Sequence, residues 1–86
     1  YSIMANQQIT PKRWRQHRNM SMAGMAAMLG IGGKNPARTW QRYETGAIEP
    51  PLSLVARLEM ISEGKVTTSA WLSVRQGFLA AMSQEV

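Results

Sequence analysis

The sequence predicts an all-α fold, a compact bundle of about five short helices. Apolar residues recur at helical spacing in several segments, and a capping residue followed by proline or an apolar run marks most of the predicted helix starts. No alternating apolar–polar segment of strand length stands out. With 86 residues, the chain is expected to form one domain over residues 1–86, with a core in residues 10–64.

The first two predicted helices each begin at a capping side chain. Thr10 precedes Pro11, and this pair predicts a helix through Trp14 to about Arg18. Ser21 is expected to cap a second helix from Met22 to Leu29, which Gly30 terminates. Its apolar positions follow the i, i+3, i+4, i+7 spacing of one buried face: Met22, Met25, Ala26 and Leu29. Methionines 20, 22, 25 and 28 are interpreted as core filling, with a docking surface as the alternative.

The third helix is predicted from Pro36 to about Thr45, with Asn35 as its cap and Gly46 at its end. A flexible connection, Gly32-Gly33-Lys34, precedes it.

The remaining two helices follow a stiff extended turn at Pro50-Pro51. The fourth is expected to end near Gly64 and to bury Leu54, Val55, Leu58 and Ile61. The fifth is predicted from Thr68 to about Gln84. It carries one apolar stripe of Trp71, Val74, Phe78 and Met82.

Charge is distributed unevenly along the chain. Residues 1–43 hold seven of the ten basic side chains and no acid, whereas all five acids lie in residues 44–86. The net charge is +5. The positive charge of the N-terminal half therefore predicts a surface that attracts anions, and a polyphosphate is a suitable partner.

The composition argues against several classes of site. The chain has no cysteine, no aspartate and a single histidine, His17. Disulfides, cysteine–zinc sites, a Ser-His-Asp arrangement and a two-histidine metal site therefore cannot form within it. We expect no enzymatic activity, no cofactor and no metal. No apolar run approaches the ~20 residues of a membrane span, and no signal peptide is visible, so a cytoplasmic protein is expected.

The third helix has a polar face suited to reading DNA. Four polar residues lie at the i, i+3, i+4, i+7 spacing and so share one face: Arg38, Gln41, Arg42 and Thr45. Trp40 and Tyr43 can turn toward the core, although base stacking by Trp40 is an alternative. Arginine is the commonest bidentate reader of guanine and glutamine suits adenine, so Arg38 and Arg42 are the first candidates for base contact.

Several short motifs follow one another along the first two thirds of the chain. They are Trp14-Arg15, Asn19-Met20-Ser21, Met25-Ala26, Leu29-Gly30, and Tyr43-Glu44-x-Gly46 with Pro50. This set, from about Trp14 to Ile61, resembles the Cro and phage-repressor type (XRE-like) of helix-turn-helix domain. The resemblance implies a lambda-repressor-like fold and a small bacterial or phage transcriptional regulator. Such a protein binds double-stranded DNA sequence-specifically, with its third helix in the major groove.

The sequence departs from that family at three places. The connection through Gly32-Gly33-Lys34 is longer than usual, Met22 stands where glutamine is common, and the loop after Gly46 carries Glu49 but no lysine or arginine.

The resemblance and the helix-face argument together assign the DNA contacts. The expected base-contact residues are Ala37, Arg38, Thr39, Gln41 and Arg42. The expected phosphate-contact residues are Arg13, Arg18, Ser21, Met22, Lys34 and Asn35. The resemblance further implies that Arg15 pairs with Glu44 and supports the fold, with phosphate contact as the alternative role for Arg15.

The function of the fifth helix is left open by the sequence. Its stripe of Trp71, Val74, Phe78 and Met82 is expected to form a homodimer interface, and packing on its own chain is the alternative. Two other functions remain possible for the whole chain. One is an antitoxin-type autorepressor that grips a toxin protein, and the other is a non-specific DNA- or RNA-binding protein.

Overall fold

The computed structural model describes residues 9–83, and within that range the chain forms five α-helices and no β-strand. This confirms the predicted all-α fold. The predicted end of the fifth helix at Gln84 lies outside the described residues. The helices are α1 (Pro11–His17), α2 (Met22–Met28), α3 (Pro36–Thr45), α4 (Leu52–Ile61) and α5 (Thr68–Ser83).

The first three helices begin where the sequence predicts because a side chain satisfies an otherwise unpaired backbone N–H at each start. In each case the cap accepts a hydrogen bond from the amide three residues later, at 2.9–3.2 Å. Proline at the first position of α1 and α3 is compatible with these starts, since that position needs no N–H donor. The three caps are Thr10, Ser21 and Asn35.

Aromatic side chains from three helices meet in the core. Trp40 is fully buried, and its ring lies 5.8 Å from that of Trp71 in a T-shaped arrangement. Trp14 of α1 belongs to the same buried cluster. Burial of Trp40 confirms its predicted core role and removes it from base stacking. The methionine prediction is also confirmed, because Met25 is fully buried while Met20, Met22 and Met28 pack against the cluster.

The prediction that Ile61 is buried is wrong, because α4 ends at this residue and its side chain is 37% exposed. Glu63 and Gly64 then adopt positive φ angles of 58° and 84°, which turn the chain back toward the core. Val66 is fully buried after this turn, and its amide donates to the Ser62 hydroxyl at 3.0 Å. A loop residue therefore belongs to the core cluster.

The connection between α2 and α3 spans residues 29–35. It is fixed at its α2 end, where the Ile31 amide donates to the Ala26 carbonyl at 2.9 Å and Arg57 donates to the Leu29 carbonyl at 2.9 Å. Gly32 and Gly33 have open space around them. Residues 32–34 thus form an exposed arch, and α2 packs against α3.

No helix within residues 9–83 is both long enough and apolar enough to cross a membrane.

Candidate nucleic-acid interface

The inner face of α3 is fixed by a buried carboxylate. Glu44 is only 5% exposed, and Arg15 donates to it through Nε at 2.7 Å and Nη2 at 3.1 Å. The Trp40 indole N–H donates to the same carboxylate at 2.7 Å. This bidentate pair confirms the structural role expected for Arg15 and excludes its use as a phosphate contact in this arrangement.

The same arginine also joins α3 to the turn between α1 and α2. Its Nη1 donates to the Met20 carbonyl at 3.0 Å. The hydrogen bond to Glu44 raises the pKa of the Arg15 guanidinium above its ordinary value, against the opposing effect of burial. Because a raised pKa favours the protonated form, Arg15 stays charged and its contribution to stability is lost only at extreme alkaline pH.

The outer face of α3 carries long polar side chains that are exposed to solvent. Arg38, Gln41 and Arg42 are exposed, and within residues 9–83 their side chains make no intramolecular hydrogen bond or ion pair. Thr39 differs because it is half-buried and its hydroxyl donates to the Asn35 carbonyl at 3.3 Å. Ala37 is also half-buried. The arginines and Gln41 are therefore the side chains best able to reach a partner.

A shallow depression brings the two arginines of α3 together. Its volume is about 180 Å³, and it is lined by Asn35, Arg38, Thr39, Arg42 and Ile48. Ile48 follows α3 and adds an apolar contact that the sequence analysis did not assign to the site. The depression thus combines two guanidinium groups with one apolar side chain.

The predicted phosphate-contact residues divide into three groups. Lys34, Arg13 and Arg18 are exposed cations, and the Arg18 guanidinium lies 5.2 Å from the centre of the Trp14 ring. Ser21 and Asn35 use their side-chain oxygens as helix caps. Met22 is half-buried against the core. The three cations are the members of the set that offer charge to a partner.

Arg13 lies in a different depression from the one on α3. It lines a space of about 570 Å³ between α1 and α5, together with His17, Ser69 and Ser73. The structure does not bring it into the depression that holds Arg38.

Arg75 of α5 binds the turn that follows α3, a role that the sequence did not predict. Its Nη1 donates to the Gly46 carbonyl at 2.6 Å and to the Ala47 carbonyl at 2.7 Å. Its Nε lies 3.8 Å from a carboxylate oxygen of Glu49. The loop after Gly46 has no basic residue of its own, and α5 supplies one from 28–29 residues away. No local pattern in the sequence could have indicated this pairing.

Gly46 also makes a close backbone approach to α5. Its φ of 89° is left-handed, and a Cβ at this position would lie 2.7 Å from the Val74 carbonyl oxygen and 3.0 Å from the Phe78 Cβ. Glycine is therefore required here both for its conformation and for the space it leaves.

The expected dimer stripe on α5 needs one correction. Trp71 is only 5% exposed and packs on Trp40 of the same chain, so it is a core residue. Val74 and Phe78 are half-buried, and Met82 is 53% exposed. The rotation of α5 about its axis therefore places part of the stripe against the core of the same chain. Its large exposed apolar residues are Leu72, Leu79 and Met82.

Within residues 9–83, no group of three or more histidine, cysteine or acidic side chains could hold a metal ion. Comparisons with protein-family models, with curated proteins and with solved structures found no match for this chain.

Proposed function

We propose that this chain binds double-stranded DNA sequence-specifically as a small transcriptional regulator, with α3 inserted in the major groove. One observation carries the proposal most directly. The outer face of α3 presents Arg38, Gln41 and Arg42, which are exposed and make no intramolecular polar contact within residues 9–83. The opposite face of the same helix is held by the buried Glu44 network. A rigid helix with free long donors is what base reading in the major groove requires.

The proposed contacts follow from side-chain chemistry. Arg38 and Arg42 can each donate two hydrogen bonds to the O6 and N7 atoms of guanine, and Gln41 can pair with adenine. Ile48, beside them in the depression, can contact a thymine methyl group. These side chains would read a short half-site.

Cations away from α3 would position the duplex. Lys34 stands on the exposed arch before α3, and Arg18 lies at the end of α1. Phosphate contacts of this kind set orientation and affinity but carry little sequence information.

We further propose that the protein binds as a homodimer through α5. Leu72, Leu79 and Met82 are exposed on this helix, and Leu52 of α4 lies beside Leu72 in a shared apolar groove. Burial of such a surface against a second copy would remove apolar area from water.

Sedimentation tests the dimer directly. Leu79→Glu should shift a wild-type dimer to monomers, because it places a charge at the proposed interface without touching the core cluster. Ser73→Glu is the control, because it adds the same charge at an exposed position on another face of the same helix. A Leu79→Glu protein that remains as dimeric as the control would exclude this surface.

Selection from a randomised double-stranded DNA pool near physiological salt tests the proposed function. We expect an enriched inverted repeat, with half-sites about one helical turn, ~34 Å, apart. Salt-sensitive binding without enrichment, or equal binding to duplex RNA, would instead indicate a non-specific nucleic-acid binder. Absence of binding would exclude the proposal and favour a protein partner such as a toxin.

A further inference from the structure

We propose that Arg75 is a positioning residue for DNA reading: it fixes the end of α3 against α5 and thereby sets the arrangement of Arg42 and Ile48. This inference rests on the proposed function, because it assigns a role in DNA specificity to a residue outside the DNA-contacting helix.

The first argument comes from the carbonyls of the turn that ends α3. Gly46 is the C-terminal cap of α3 and Ala47 follows it, so both carbonyls lie just beyond the last helical residue, Thr45. Arg75 donates from a single nitrogen, Nη1, to the carbonyls of Gly46 and Ala47, at 2.6 and 2.7 Å. Charge-assisted hydrogen bonds to the turn that ends α3 resist its displacement.

The second argument comes from the packing around Gly46. The Gly46 backbone is so close to α5 that a Cβ would lie 2.7 Å from the Val74 carbonyl oxygen and 3.0 Å from the Phe78 Cβ. Because the contact is with α5 backbone as well as a side chain, a change of α5 position cannot be absorbed by a rotamer change alone. The position of α5 and the end of α3 are therefore coupled.

The third argument connects this turn to the candidate base-reading residues. The amides of Ala47 and Ile48 donate to the Arg42 carbonyl at 3.0 and 3.3 Å. Arg75 thus holds the Ala47 carbonyl, while the Ala47 amide holds the backbone of Arg42. Ile48 lines the same depression as Arg42. Loss of Arg75 would leave this turn free to shift both residues relative to the DNA.

The experiment compares Arg75→Met with two controls. Glu49→Gln removes only the 3.8 Å ion-pair partner, whose side chain is 76% exposed, and Gln76→Ala changes an exposed neighbour on α5. For each folded variant, the affinity for the selected DNA site is divided by the affinity for random duplex. We expect Arg75→Met to lower this ratio roughly tenfold, from the loss of charge-assisted hydrogen bonds, and the controls to keep it.

Arg75→Lys should restore most of the ratio, because an ammonium group can donate to both carbonyls from one nitrogen. If Arg75→Met does not fold, Arg75→Gln replaces it with a smaller expected loss, because its neutral amide group can still donate hydrogen bonds.

A measurement without DNA separates this inference from the proposed function. Amide hydrogen exchange at Ala47 and Ile48 should become about tenfold faster in Arg75→Met, while exchange in α1 stays unchanged. If the wild type selects no DNA sequence but this exchange still responds, the proposed function fails and the structural coupling stands.

Two results would overturn the inference. One is a folded Arg75→Met protein that retains the wild-type affinity for both DNAs, and therefore the wild-type ratio, whatever its exchange at Ala47 and Ile48. The other is an equal loss of affinity for selected and random DNA, which also leaves the ratio unchanged and identifies Arg75 as a phosphate contact.

Discussion

The two faces of α3 use the same kinds of polar chemistry in opposite ways. On the inner face, Glu44 is 5% exposed and accepts hydrogen bonds from Arg15 and Trp40 at 2.7–3.1 Å. On the outer face, Arg38 and Arg42 are exposed and have no polar partner within residues 9–83. The inner-face side chains form hydrogen bonds within the fold, and the arginines of the outer face form none within residues 9–83.

The arginines of this chain differ in whether their guanidinium groups bind other parts of the fold. Arg15 and Arg75 both donate to groups that hold α3 in place, one at its inner face and one at its end. A guanidinium that is already bound to buried or backbone acceptors cannot read a base without breaking those bonds. The orientation of each arginine, rather than its presence in the sequence, therefore decides its function.

Loss of Arg15 should produce the largest effect on the fold. Arg15→Ala should lower the free energy of unfolding by about 3–5 kcal/mol, because it leaves the Glu44 carboxylate buried without its charged partner. Chemical denaturation would measure this loss. Arg13→Ala, an exposed change on the same helix, should stay within about 0.5 kcal/mol of the wild type. Equal effects of the two substitutions would contradict the importance given to the inner face.

Gly46→Ala should have the next largest effect. It forces a Cβ into a left-handed position and against α5, so we expect a loss of about 2–4 kcal/mol. Gly33→Ala is the matched control, because Gly33 also has a positive φ, of 96°, but has open space around it. Its expected cost of about 1–2 kcal/mol comes from the backbone alone. If denaturation gives the same loss for both, the close packing of α5 on α3 is not important for stability.

The smallest effect on stability is expected on the outer face. Arg38→Ala and Arg42→Ala should each change the free energy of unfolding by no more than about 0.5 kcal/mol, because neither side chain has a polar partner in the described chain. Thermal or chemical denaturation of the free proteins checks this. A loss comparable with that of Arg15→Ala would place these arginines among the residues that maintain the fold.

The sequence predicted local features of the fold well. The caps Thr10, Ser21 and Asn35 and the bounds of α3 depend on neighbouring residues, and the structure confirms them. The burial of Trp40 also followed from helical spacing. The pairing of Arg15 with Glu44, 29 residues apart, was expected only from the family resemblance.

Features that depend on tertiary contacts were predicted less well. Ile61 fits the apolar spacing of α4, but the helix ends there and Val66 occupies the core instead. Trp71 fits an exposed stripe on α5, but the rotation of that helix buries it against Trp40. Arg75 reaches Gly46 only because α5 folds back over the end of α3. None of these outcomes follows from periodicity along the chain.

The most direct test of the central claim is to repeat the DNA selection with Arg42→Ala and to compare its enriched site with that of the wild type. We expect the variant to lose its preference at one base pair of each half-site. Its affinity for the wild-type site should fall by roughly 1–3 kcal/mol, and binding to random duplex should change much less. An unchanged preference at every position, or equal weakening on both DNAs, would contradict base reading by the outer face of α3.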